Sequence, residues 1–247
     1  ADASGLQLGY TDLGANVQEA MESAIAHGRL GRATLAAMNL GAFAFYAGRW
    51  GEALAHWEEG QRLATQAGDV VVAAQIGCNV GELRLHRGEL DAAQEVLTES
   101  RRTFRSVRAE TLATYAHVLL ARVMIRRGEL AEAERIAQDA ELEFAASRMK
   151  SFVLEAALAR AEALLADARP EESLIVIDAA AEGNLDEGGV ELLPRLHLQR
   201  GRAFAALGRT DASAAEALTG LAVARSSEQP FDAAQLMLFQ AELAEAA

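Results

Sequence analysis

Small residues recur in this chain at intervals of 40, and no other feature limits its fold as strongly. Gly48, Gly88, Gly128 and Gly208 form one series, with Ala168 in the remaining place. Gly41, Gly81, Ala121, Ala161 and Gly201 form a second, and Ala53, Ala93, Ala133, Ser173 and Ser213 a third. A fourth carries Trp57, Leu97, Ala137, Ile177 and Ala217. Five consecutive units keep this register without an insertion. A period of this length marks a stacked array, in which one unit cannot bury its own apolar face and does so against its neighbours.

The interior of one unit predicts two helices. Ile76, Val80, Leu83 and Leu85 fall at helical spacing up to Arg87, and Gly88 suits the left-handed position that ends a helix. Asp91 is placed to cap or precharge the next helix, whose apolar stripe is Ala92, Ala93, Val96 and Leu97. Gly81 and Ala93 are small where two antiparallel helices must approach closely, and Leu97 fills the space between them. The chain is rich in Ala, Leu, Glu and Arg, all strong helix formers. The fold class expected is all-α, a solenoid of antiparallel helix pairs in a single domain over 1–247. Its units are expected near 34–73, 74–113, 114–153, 154–193 and 194–230, flanked by lone helices near 15–27 and 231–247. One irregular join is expected between Gly183 and Gly189. The chain starts at Ala1 and its helical pattern runs on to Ala247, which suggests a segment of a longer protein.

Charge and cysteine usage narrow the partners. The net charge is −13, the opposite of a nucleic-acid footprint and unsuited to an anionic membrane surface. No apolar run reaches the roughly 18 residues of a transmembrane helix. Cys78 is the single cysteine, so no intrachain disulfide forms, as suits a cytoplasmic location. Lys150 is the only lysine among 23 basic residues, a bias typical of a GC-rich genome.

The chain offers little for catalysis. Lys150 follows Met149, so no phosphate-binding Gly-Lys-Ser/Thr loop exists. His27, His56, His86, His117 and His197 make no helical zinc pair, although His86 and His117 could meet on adjacent first helices. Cys78 lacks an indicated base. The basic cluster of Arg101, Arg102, Arg105 and Arg108 lies toward the end of a second helix, where positive charge suits the helix dipole. No catalytic residue, cofactor or metal site is therefore expected.

Asn39-Leu40-Gly41, Gly48, Ala53 and Trp57, with Asn79-Val80-Gly81, Gly88, Ala93 and Leu97, resemble the tetratricopeptide repeat family in a 40-residue form. The resemblance implies a right-handed superhelix whose first helices line a concave groove. It places Asn39, Ala42, Phe45, Tyr46, Gln75, Cys78, Asn79, Glu82, His86, Tyr115, Arg122 and Arg126 on that groove, with Met38, Val118, Glu155, Glu162, Arg195 and Arg202 also turned inward. Asn39 and Asn79 match the Asn by which such repeats hold a peptide backbone; Leu119, Ala159 and Gln199 replace it in the later units. The wording of residues 31–225 also resembles the repeat region of bacterial multidomain class III adenylate/guanylate cyclases and related ATPase-type regulators. The function expected is a non-catalytic interaction module of such a parent. Its partner would be a protein or peptide in the groove, or the parent's other domains. A stand-alone peptide-binding scaffold and a small-molecule sensor with an aromatic pocket near Phe45, Tyr46 and Tyr115 are the alternatives. Self-association into a homo-oligomer stays open.

Overall fold

A computed structural model describes residues 10–184 and 190–246. All regular structure among them is helical. The helices are α1 (Tyr10–Ala26), α2 (Leu30–Tyr46), α3 (Trp50–Ala67), α4 (Val70–His86), α5 (Leu90–Ser106) and α6 (Glu110–Arg127). They continue with α7 (Leu130–Ala146), α8 (Lys150–Ala166), α9 (Pro170–Asn184), α10 (Leu193–Ala206), α11 (Thr210–Ser226) and α12 (Pro230–Ala246). A 3₁₀ turn at Val190–Leu192 leads into α10. The pairs are α2–α3, α4–α5, α6–α7, α8–α9 and α10–α11, with α1 and α12 flanking. They form a solenoid of antiparallel helix pairs of the tetratricopeptide type.

The turns repeat more often than the pairs do. Backbone φ is positive at Gly28, Gly48, Gly68, Gly88, Arg108, Gly128, Arg148, Ala168, Gly208 and Glu228, a spacing of 20 or a multiple of it. Each of these residues is followed by an amide that donates back to the helix just ended, as Arg49 does to Ala44 at 2.8 Å and Ala109 to Phe104 at 2.9 Å. The turn residue's own amide donates three residues back, Gly48 to Phe45 at 2.9 Å. This paired closure satisfies carbonyls that a helix end would otherwise leave open. The turns into first helices lie at Gly28, Gly68, Arg108 and Arg148, so α2, α4, α6 and α8 each start four residues before the expected unit boundaries. Asp91 does not cap: Glu89 holds the N-cap position, and Asp91 sits in the first turn of α5 and pairs with Arg127. Asp69 does cap, accepting from the Val72 amide at 3.0 Å. Pro230 opens α12, where its missing N–H costs nothing. The expected irregular join falls largely on 185–189, outside the described residues.

Curvature follows from which helices touch. Consecutive first helices, α2 to α4, α4 to α6, α6 to α8, α8 to α10 and α10 to α12, pack on one another, whereas second helices touch mainly their chain neighbours. The first helices therefore lie on the inside of the bend. The seams are apolar: Trp57, Phe104, Phe144, Leu97 and Ile177 are fully buried along them.

Candidate functional site

The bend brings the two ends of the array together. Phe231 of α12 packs against Trp50 of α3 at 4.9 Å between ring centroids and against His86 of α4 at 4.8 Å. A Cβ added at Gly48 would lie 3.5 Å from Pro230 Cγ. Helix α12 thus closes onto the first two pairs. The space at the centre is a chamber of about 140 Å³ lined from every first helix. Phe45 and Tyr46 come from α2, Glu82 and His86 from α4, Tyr115 from α6, and Ser151, Phe152 and Glu155 from α8. The 3₁₀ turn and α10 add Glu191, Leu192 and Arg195, and α12 adds Phe231 and Asp232.

A charged ladder crosses the wall. His86 Nε2 lies 3.8 Å from Glu82, Arg122 Nη1 donates to Glu82 at 2.7 Å and lies 3.7 Å from Glu155, and Arg195 Nη1 donates to Glu155 at 2.8 Å. Two of these links, Glu82 to Arg122 and Glu155 to Arg195, join residues 40 apart. The repeat itself therefore writes opposite charges onto facing positions. Burial alone would push the Glu82 carboxyl up, but the neighbouring His86 imidazole and the Arg122 guanidinium outweigh it and hold it well below the usual carboxylate range. Burial disfavours a charged Arg195, yet the Glu155 carboxylate more than offsets this and raises its pKa. Burial, with the Glu82 and Glu155 charges, pushes the Tyr115 phenol well above its ordinary value.

Aromatic rings cover two sides. Phe45 lies 5.6 Å from His86 and 5.5 Å from Tyr46; opposite them, Tyr115 packs on Phe152 at 5.2 Å. Asp232 stands apart. Among the described residues neither it nor Glu191 has an ion-pair partner. Turned so that its amide nitrogen faces acceptors, the buried Gln229 donates to Asp232 Oδ2 at 3.0 Å and to the Glu191 carbonyl at 3.2 Å.

Of the residues expected on the groove, Phe45, Tyr46, Glu82, His86 and Tyr115 line the chamber, and Arg122 backs its wall. Asn39, Ala42, Gln75, Asn79 and Arg126 are not in its lining. Cys78 is 1% exposed in the seam of α4, α5 and α6. Its side chain packs toward the core and not the groove, and burial pushes the thiol up to about 12, a poor nucleophile. Val118 is likewise core. Glu155 and Arg195 reach the chamber as expected, whereas Glu162 and Arg202 do not. His86 and His117 do not meet. His117 lies in a separate shallow groove with Arg101 and Arg105, its pKa lowered to about 4 by burial and by neighbouring arginines. The basic cluster is not one helical stripe, since Arg108 is a left-handed turn residue and Arg102 pairs with Glu99 at 2.5 Å. Sequence reasoning missed Ser151, Phe152, Glu191, Leu192, Phe231 and Asp232. The register held the signal: 151, 191 and 231 are one repeat position, and 152, 192 and 232 the next. No cluster suited to a metal ion occurs among the described residues, and none of their helices is long and apolar enough to cross a membrane.

No family model matches the chain, and no curated protein matches it in sequence. Solved structures share its fold. NprR in complex with its cognate peptide NprX superposes with a TM-score of 0.72 at 12% identity, covering 95% of this chain and 68% of that one. Aspartyl phosphate phosphatase F from Bacillus subtilis gives 0.61 at 11% identity, with 90% of this chain spanning 59% of that protein. BtubC from P. vanneervenii gives 0.62 at 16% identity, covering 90% and 92%. At these identities the likeness is one of fold.

Proposed function

We propose that this chain is a non-catalytic regulatory module that holds a ligand, a small molecule or one side chain of a peptide, in the central chamber. The observation that carries the reading is convergence: all six first helices from α2 to α12 place side chains on one central space. A ligand there touches both ends of the array at once. It therefore biases how tightly α12 closes on the first two pairs, and differential affinity for the closed form is what a regulatory module needs. NprR, with its cognate peptide, is a fold relative for which a peptide ligand is named, in keeping with a peptide side chain as one occupant. The Asn positions Asn39 and Asn79 lie outside the chamber lining, so extended-peptide clamping is the lesser reading.

The finer part of the proposal is the setting. The wording of residues 31–225 supports a place in a larger cytoplasmic bacterial signalling protein, such as a nucleotide cyclase with ATPase and repeat regions. Reading frames on both sides that encode no cyclase or nucleotide-binding domain would overturn that part alone.

The chamber is tested by thermal shift with a panel of small amines, acids, sugars and short peptides. A ligand at 100 times its Kd stabilises by about 2.7 kcal/mol, a rise of roughly 5–10 °C for a chain of this size. Ser151→Phe, which puts a ring into the space, is expected to abolish the shift. A shift that persists in this variant, or a panel without any shift, counts against the chamber.

A further inference from the structure

The lining of the chamber is unbalanced in a way that selects one class of ligand. Its carboxylates are Glu82, Glu155, Glu191 and Asp232, and its basic side chains are Arg195 and the imidazole of His86. Arg195 is taken by Glu155 at 2.8 Å, His86 faces Glu82 at 3.8 Å, and Arg122 behind the wall serves both glutamates. Each basic group thus already faces a glutamate, while Asp232 and Glu191 have no ion-pair partner among the described residues. An anionic guest would meet four carboxylates. An uncharged guest would desolvate the half-buried Asp232 further, and a carboxylate taken out of water without a cation is costly. Burial already pushes the Asp232 carboxyl up, with Arg195 and His86 offsetting this only in part.

The remaining walls are aromatic. Phe45, His86 and Phe231 run along one side, Phe45 tilted against His86 at 5.6 Å and Phe231 edge to face with it at 4.8 Å. Tyr115 and Phe152 stand together on another, at 5.2 Å. Ring faces attract cations, by about 2 kcal/mol or more where water is excluded. At about 140 Å³ the space approaches the ~150 Å³ cavities that admit a benzene-sized guest.

We propose that the central chamber is a cage for an organic ammonium group, with Phe45, Tyr115, Phe152 and Phe231 as its walls and Asp232 with Glu191 as its counter-charge. The inference rests on the chamber being a ligand site and adds the charge and shape of what it takes. The group arrives either as a free small ion or at the end of a peptide's lysine side chain.

Three ligands of one shape separate charge from fit: choline, the neutral 3,3-dimethylbutan-1-ol and the anionic 3,3-dimethylbutanoate, each titrated calorimetrically into the whole chain. Choline is expected to bind at least ~10-fold tighter than the alcohol, and the butanoate not to bind measurably. Asp232→Asn should weaken choline at least ~5-fold while the unfolding midpoint holds or rises, because the variant removes a half-buried charge that has no ion-pair partner among the described residues. Phe152→Leu should weaken choline and leave the alcohol unchanged, a signature that a merely structural role does not produce. A short peptide with one trimethyllysine reports the source: tighter binding than choline assigns the group to a peptide, weaker binding to a free ion. Alcohol or butanoate binding as tightly as choline overturns the cage but leaves the chamber as a ligand site. Failure of all four ligands to bind also overturns it. The chamber itself fails separately, when Ser151→Phe leaves every thermal shift intact.

Discussion

In the first pair Gly41 of α2 leaves room for the Trp57 indole of α3, which lies so close that a Cβ at Gly41 would sit 2.2 Å from its nitrogen. That nitrogen donates to the Met38 carbonyl at 3.1 Å. In the fourth pair the same positions are Ala161 and Ile177, and the hydroxyl of Ser173 donates to the Ala161 carbonyl at 3.1 Å. The fifth repeats the device, Ser213 donating to Gly201 at 2.8 Å. Turns differ along the same line. Gly28, Gly48, Gly68 and Gly88 fill the left-handed position early, whereas Arg108, Arg148, Ala168 and Glu228 fill most of the later ones. One backbone geometry is thus met in two ways: by an absent side chain under a large insert in the first pair, and by balanced volumes and a hydroxyl in the fourth, the fifth combining Gly201 with the Ser213 hydroxyl. Volume at a seam is shared between partners, so a repeat can drift in sequence while its spacing holds.

The largest expected difference lies at the insert. Trp57→Ala should cost about 3–5 kcal/mol in urea unfolding, since it opens a cavity and frees the Met38 carbonyl. Ile177→Ala, with no polar partner to lose, should cost about 2–4 kcal/mol. Gly41→Ala tests the close approach directly. Alanine normally gains about 1 kcal/mol over glycine in a helix, yet here the clash should leave a net loss of about 1–3 kcal/mol. In a Trp57→Leu background the loss should shrink markedly. A Gly41→Ala penalty that is equal in both backgrounds would break the argument from shared volume.

These two regimes bear on what the sequence could reveal. The period and the helix pairs were legible because Gly, Ala and Trp57 recur where backbones touch, and such contacts tolerate few substitutions. Ser173 and Ser213 read as weakened copies of the alanine position, because their hydrogen bond to a carbonyl twelve residues earlier exists only once two helices are packed. The 20-residue spacing of the turns was hidden by Arg108, Arg148, Ala168 and Glu228, which are not turn-forming residues. At the site, Phe45, Tyr46, Glu82, His86, Tyr115, Glu155 and Arg195 could be placed from the family resemblance carried along the register. Phe231 and Asp232 could not, because their part depends on how far the superhelix turns before α12 meets Trp50 and His86. That angle is the sum of small rotations at every seam.

The middle of the array joins the two regimes through charge. Arg169 pairs with Glu134 at 2.6 Å, and Arg160 approaches Glu141 at 3.5 Å. Burial pushes the Glu141 carboxyl up to about 7, with Arg160 offsetting only part of this, and one of its oxygens has no partner among the described residues. The folded chain therefore holds this proton more tightly than the unfolded chain, where the pKa is about 4.3. The contribution is complete below pH ~4 and is lost as pH rises through ~7. Glu141→Gln should remove this slope, leaving the variant about 1–2 kcal/mol more stable than the parent at pH 8–9 relative to its standing at pH 4. Parallel unfolding curves at both pH values would refute the assignment. A smaller effect follows at the turns. Arg108→Gly or Ala168→Gly should each stabilise by about 1 kcal/mol by relieving a left-handed non-glycine residue, whereas Gly88→Ala should destabilise by a similar amount.

The finest test exchanges the devices at the third small position. Ala53 and Ser173 are both 0% exposed and occupy equivalent places. Ser173→Ala loses one buried hydrogen bond but installs the residue that the first three pairs use there, so the cost should be about 0.5–1 kcal/mol. The converse, Ala53→Ser, is more demanding. A buried hydroxyl without a partner costs about 1–3 kcal/mol, but the Gly41 carbonyl stands twelve residues before Ala53, as the Ala161 carbonyl stands before Ser173. If the backbones of the first and fourth pairs coincide, the new hydroxyl finds that carbonyl and the change costs less than about 1 kcal/mol. A loss above about 2 kcal/mol would mean that the Trp57 insert has altered the helix approach in the first pair. The seams would then differ in geometry as well as in side chains.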